Sequence, residues 1–205
     1  MKSPTLTKQF LVFLAAGLVL LASRYPAIAG GSNSAGPKLI HTEAVAQITI
    51  TGLVYGGPVG CDPATGAGCT FYDLTATAAG RNFPLGAYTA DFTVTVLLGA
   101  ATPNGAHDSN GNPTGFCYPE LGTEADVFTD GSILTTDFQG LTCCANAICT
   151  GGLPALNHDS SVITGATGRL KGASGGTTWS DNFATPTGPL LMHAEGVLQL
   201  PGVSD

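Results

Sequence analysis

The sequence predicts an all-β protein, a single antiparallel β-barrel of about eight strands stapled by disulfides. Three observations carry this. Apolar and polar residues alternate with period two through several stretches, 29 glycines and many threonines punctuate the 205-residue chain, and no amphipathic helix is legible after the N-terminal segment. Gly costs about 1 kcal/mol against Ala inside a helix but suits tight turns between strands. Only 10% of residues are charged, against roughly 25% on average, which fits short strands joined by turns.

The strand-like segments follow in order. Residues 46–54 are rich in Ile, Thr and Val, and residues 70–78 form a second candidate. The clearest is 88–98, where Tyr88, Ala90, Phe92, Val94, Val96 and Leu98 fall on one face and Thr89, Asp91, Thr93 and Thr95 on the other. Residues 99–124 read as a long loop anchored by Cys117. Residues 125–129 and 132–138 flank Asp130-Gly131, a strong hairpin signal. Segments 141–149, 161–164 and 169–173 lead to a last strand, in which Leu190, Met192, Ala194, Gly196, Leu198 and Leu200 share one face. That gives eight to ten short strands and indicates a small barrel or sandwich.

The chain begins with a segment that is not part of this fold. Lys2 and Lys8 precede the 13-residue apolar run 10–22, and Ala27-Ile28-Ala29 offers a cleavage site. Residues 1–29 are therefore expected to be a secretory signal peptide, 30–43 a flexible lead-in and 44–205 the barrel domain. The run is too short to span a bilayer of ~30 Å as a helix, so no membrane insertion is expected after cleavage. The expected location is extracellular or periplasmic. Cleavage leaves four basic residues (Lys38, Arg81, Arg169, Lys171) against 14 acidic ones, a formal net charge of −10. Nucleic acid, whose binding needs cations to neutralise phosphates, is excluded as a partner. An anionic membrane surface is disfavoured for the same reason.

All six cysteines (Cys61, Cys69, Cys117, Cys143, Cys144 and Cys149) lie beyond the signal. An even number in an exported chain reads as three disulfides, although six cysteines allow 15 connectivities. The expected pairs are Cys61–Cys69, Cys117–Cys143 and Cys144–Cys149. The spacing lacks the paired C-x₂₋₄-C of a zinc site.

Residues 172–176, GASGG, match the G-x-S-x-G pattern of a serine hydrolase, with Asp181 and His193 following in triad order. A nucleophile elbow needs a strand, a sharp turn and a helix. Ser174 is followed instead by two glycines and two threonines, so the stretch reads as a glycine-rich turn. The longer segment, ITGATGRLKGASGG, resembles the GGTGRFxGAxG signature of allene oxide cyclases, dirigent proteins and exported bacterial relatives. Gly165, Gly168, Arg169, Leu170, Gly172 and Gly175 hold the matching places; Ala166 stands for a usual Gly and Leu170 for a usual Phe. The resemblance implies an eight-stranded antiparallel barrel, with Gly165, Gly168, Arg169, Gly172 and Gly175 forming a barrel corner. It transfers no catalytic residue. It is compatible with a homo-oligomer, since the resembling families often associate.

Other constellations are weaker. Asp108, Asn110 and Asn112 alternate as in a calcium loop, but Pro113 and Pro119 occupy the positions that an EF-hand gives to Gly and Glu. No metal or cofactor is therefore expected. His193 and Glu195 share a strand face, about 7 Å apart by strand rise. They face solvent if Leu190, Met192 and Leu198 face the core, and become acid–base candidates if the register is reversed. Tyr88 and Trp179 are candidates to line a ligand pocket.

Three functions compete: non-catalytic binding of a small apolar ligand or surface component, a cyclase or isomerase acting by substrate confinement, and a purely structural envelope module. A roomy interior with convergent polar groups would mark a binder or catalyst. An interior filled by Phe71, Phe92, Val94, Val96, Leu198 and Leu200 would mark the structural module.

Overall fold

The computed structural model describes residues 36–144, 155–182 and 190–201. The expected signal peptide (1–29) lies outside them, as does Cys149. Nine strands run in order: β1 (Lys38–Gly56), β2 (Phe71–Phe83), β3 (Gly86–Val96), β4 (Thr102–Pro103), β5 (Phe116–Phe128), β6 (Ile133–Cys144), β7 (Ala155–Ala166), β8 (Ser174–Asn182) and β9 (Leu190–Leu200). Their order in the sheet is β3-β2-β1-β9-β8-β7-β6-β5, and β3 pairs back onto β5 from Tyr88↔Phe128 to Val96↔Glu120. Eight antiparallel strands thus close a barrel, with the two-residue β4 added beside Phe116 and Cys117. Closure leaves these strands no open edge.

The expected alternation sits in the expected register. Tyr88, Ala90, Phe92 and Val96 on β3 and Met192, Ala194 and Leu198 on β9 are buried. In the main core cluster the aromatic rings and every alanine of a wall strand except Ala90 on β3 come from different parts of the wall. Tyr88, Phe92, Phe128, Phe138 and Trp179 come from β3, β5, β6 and β8, while Ala44, Ala46, Ala76, Ala78 and Ala194 come from β1, β2 and β9. Rings from one side therefore fill the space the alanines leave on the other, and Trp179 packs edge-on to Phe138 with centroids 4.8 Å apart.

Several boundaries differ from expectation. β1 begins at Lys38 and pairs with β9 from Lys38↔Leu200 onward, so residues 38–43 are wall strand rather than lead-in. β5 begins at Phe116, which takes residues 116–124 out of the expected loop. Residues 132–138 and the start of 141–149 form one continuous strand, β6. Residues 168–170 form a 3₁₀ turn instead of a strand, and β8, not expected as a strand, follows it.

Two expected disulfides are present. Cys61–Cys69 closes the β1–β2 loop, and Cys117–Cys143 joins directly opposed residues of β5 and β6. Cys144 is also disulfide-bonded; its expected pairing with Cys149 falls outside the described residues.

The glycine-rich signature closes one end of the barrel. Gly168 takes φ +59°, and a Cβ there would sit 2.5 Å from Ser132 Oγ, so only Gly lets the turn lie on the β5–β6 hairpin. Leu170, 1% exposed, plugs the core. The Arg169 amide donates to Ser132 Oγ at 3.1 Å, and its guanidinium donates to the Leu85 carbonyl and pairs with Asp130 at 2.6 Å. Gly175 adopts φ +127° where a Cβ would meet the Val197 carbonyl at 2.1 Å. Gly165 faces Thr135 beside a bulge at Thr164 in β7, and Gly172 turns the chain at φ +80°.

Candidate functional site

A barrel interior of this size is filled by side chains or holds one small ligand. Here it is neither wholly apolar nor wholly filled. Three acidic residues of β5 (Glu120, Glu124 and Asp126) share the inward parity of Tyr118 and Phe128, while Leu121 and Val127 face out and are exposed. The usual apolar-in, polar-out pattern is therefore inverted along this strand. Asp159 on β7 is a fourth inward carboxyl, 3% exposed. Every described Lys, Arg and His lies on an exposed position.

The four acids form two pairs at different depths. Glu120 and Asp159 hydrogen-bond to each other, and Thr142 Oγ1 donates to Glu120 Oε2. Burial raises the Glu120 carboxyl above its usual range, against these hydrogen bonds. Asp126 hydrogen-bonds to Glu124, whose Oε2 also accepts from Thr136 Oγ1 at 3.4 Å. Burial pushes Asp126 up to about 6, the Glu124 hydrogen bond opposing. An acid in that range exchanges protons readily near neutral pH.

Beside the second pair lies a cavity of about 30 Å³, lined by Thr42, Asn82, Asp126 and Thr136 on its polar side and by Leu85, Tyr88 and Trp179 on its apolar side. That is room for roughly two waters, far below the 300–1,000 Å³ or so of a typical drug-sized site. Three buried atoms of lining residues have no hydrogen-bond partner: Asn82 Oδ1, Asp126 Oδ1 and Trp179 Nε1. Such atoms are costly unless something satisfies them.

The structure places the sequence candidates as follows. Tyr88 and Trp179 both line the cavity. His193 and Glu195 point outward, with side chains 47% and 71% exposed, and His193 Nε2 lies 3.2 Å from Glu43 Oε1. The reversed register that would bring them inside does not occur. Ser174 pairs with Gln199 and His193 with Ser180, which separates Ser174 from His193 by six positions, ~20 Å of strand. Ser174 therefore does not meet His193. The Asp108 carboxylate is engaged by its own loop, accepting from the amides of Asn110 and Asn112 at 2.8 and 2.9 Å. Phe92, Val96 and Leu198 are buried as expected of a filled core, while Phe71, Val94 and Leu200 are half-buried.

Glu120, Glu124, Asp126, Asp159 and Asn82 were missed by sequence reasoning. The available signal was parity: residues 118, 120, 124, 126 and 128 fall on one face. Reading that face as outward, as hydrophobicity demands, hides it.

No family model matches the chain, and no curated protein does. Among solved structures it is similar to that of a pterocarpan synthase dirigent protein, at 12% identity over 88% of this chain and 99% of that one, with a TM-score of 0.28. The barrel itself rests on the closed ring of strand pairs.

Proposed function

We propose that this chain is an exported binding barrel that holds a very small ligand, with an apolar body and hydrogen-bond donors, in the cavity between Asp126 and Trp179. The observation that carries the reading is the set of unpartnered buried atoms around that cavity. A purely structural barrel gains nothing from burying the Asp126 and Asn82 side-chain oxygens Oδ1 unsatisfied, since apolar residues of the same volume stabilise it more. Export is supported by the N-terminal sequence and by the disulfides, which persist in oxidising compartments. The resemblance of residues 162–176 to allene oxide cyclases and dirigent proteins fits a barrel with an occupied interior.

A second reading is a cyclase or isomerase that confines its substrate and moves a proton through Asp126. The carboxyl at about 6 favours it, because a general acid or base works best with a pKa near the operating pH.

Native mass spectrometry of the oxidised protein, purified from its own host, tests the binding reading. A retained small molecule that is lost in Asp126→Asn supports it. A bare mass, with Trp179 emission unmoved by small-molecule panels, would leave the structural module.

A further inference from the structure

We infer that the ligand is a small organic ammonium ion, its N–H groups held by Asp126, Glu124 and Asn82 and its carbon body against Leu85, Tyr88 and Trp179. This deepens the interior-binding reading and rests on it.

Charge is the first argument. Four carboxyls project into the barrel, and no described Lys, Arg or His accompanies them. Buried carboxylates are ordinarily paired with cations. Among the described residues no such cation stands inside the barrel, and the complementary charge is assigned to a ligand.

Hydrogen-bond valence is the second. Asn82, 8% exposed, lies on β2, outside the acidic strand, and its Oδ1 is unpartnered at the cavity wall; so is Asp126 Oδ1. Both atoms are acceptors. Trp179 Nε1, the third unpartnered atom at this wall, is a single donor, so an anion would meet two acceptors for one donor, and a hydroxyl offers one donor for the two acceptors. A primary ammonium offers three donors together with the charge. The third argument is the aromatic lining, since Tyr88 and Trp179 border the same cavity and aromatic rings attract an ammonium. The volume of about 30 Å³ admits an ammonium bearing one or two carbons.

Ammonium binding requires ionised Asp126. The titratable groups facing that carboxyl in the cavity are Glu124 on β5 and Tyr88 on β3; β1, β2 and β6 bring Thr42, Asn82 and Thr136, and β7 to β9 bring Ile163, Thr177, Trp179 and Met192. Affinity therefore rises about tenfold per pH unit up to about 6 and is level above.

The test is a titration of the oxidised protein with methylammonium chloride at constant ionic strength, with methanol as the neutral comparator of equal size. Emission of Trp179, the one tryptophan in the chain, reports binding. Saturable binding of methylammonium with that pH profile, and none of methanol, supports the inference. Asp126→Asn should weaken binding about 10- to 100-fold at pH 7 and abolish its pH dependence. Asn82→Leu should weaken it about fivefold, as for one neutral hydrogen bond, and leave the profile in place. Equal binding of methanol, a flat pH profile, or an unaffected Asp126→Asn variant each overturns the ammonium. A neutral molecule retained from the host would overturn it while leaving interior binding intact; a bare mass with no methylammonium response would sink both.

Discussion

Glu120 on β5 and Asp159 on β7 stand on either side of Gly140 in β6, and their carboxyls hydrogen-bond across it. The contact exists because the residue between them has no side chain. A Cβ at position 140 would lie 1.9 Å from Asp159 Oδ1 and 2.2 Å from the His158 carbonyl. Gly140→Ala must therefore push β7 away or break the acid pair. Overpacking alone costs about 1–3 kcal/mol, and loss of the buried hydrogen bond adds to it. Urea unfolding should show a loss of roughly 3 kcal/mol or more. Gly36→Ala, with nothing within 4 Å, should show none. Adding Asp159→Ala to the first variant should recover only part, since the His158 carbonyl stays in the way.

The same acids set a pH dependence. Asp126 titrates near 3.8 in the unfolded chain and at about 6 in the fold. Between those values the native state holds a proton that the unfolded chain has released. Stability therefore falls as pH rises from about 4 to about 6 and levels off above, the native barrel being weaker at pH 7 by about 3 kcal/mol than with an unshifted acid. Glu120, also raised, acts in the same direction. The Asp108 and Asp130 carboxylates, held low by amides of their own turns, oppose this at lower pH. Melting temperature against pH should peak at about 4 to 5. In Asp126→Asn the decline above pH 4 should shrink and the melting point at pH 7 should rise. A wild-type curve rising from pH 4 to 7 would contradict the assignment.

These acids show where sequence reasoning reached its limit. Strands β3 and β9 were legible because one face is apolar throughout, while threonines and Asp91 on β3, and His193, Glu195 and Gln199 on β9, mark the other. On β5 the apolar residues Leu121 and Val127 face out while Glu120, Glu124 and Asp126 face in, so hydrophobic parity points to the wrong side. The strand start at Phe116 was hidden by turn-rich residues running up to it. Strand β8 was hidden by its glycines, which read as a turn. The corner motif, by contrast, was visible from Gly168 and Gly175, whose positive φ few other residues tolerate. That Arg169 ties two hairpins together depends on where strands 37 and 84 residues away end. No local pattern encodes that.

The two described disulfides should differ in value through the loops they close. Cys117–Cys143 spans 26 residues and Cys61–Cys69 spans 8. Chain-entropy reasoning gives about 3.5 kcal/mol for the first and about 2.5 for the second. The first also staples two wall strands, whereas the second closes a surface loop. Paired Cys→Ser variants at 117 and 143 should therefore lower the melting temperature more than those at 61 and 69. An equal or reversed order would show that the wall pairing of β5 and β6 holds without its staple.

Arg169 offers a test of what closes the end of the barrel. Its ion pair with Asp130 is short, 2.6 Å, yet the two side chains are 45% and 43% exposed, and exposed pairs contribute about 0–1 kcal/mol. The guanidinium also donates to the Leu85 carbonyl in the β2–β3 turn and lies over the Phe128 ring, 5.6 Å from its centroid. Those contacts join turns that are distant in sequence and hold the segment carrying Leu170. Arg169→Ala should cost about 2 kcal/mol, or roughly 4–8 °C in melting temperature, and speed amide exchange at Arg169 and Leu170. Asp130→Asn removes the charge but keeps an oxygen to accept the Ser132 amide, now bonded at 3.0 Å, and should cost less than Arg169→Ala. If the two variants lose equally, the charge pair holds the plug and the Leu85 carbonyl is incidental. If Arg169→Lys restores stability, a point charge suffices. The expectation is that it does not, because a single ammonium cannot span the Leu85 carbonyl and the Asp130 carboxylate as the forked guanidinium does.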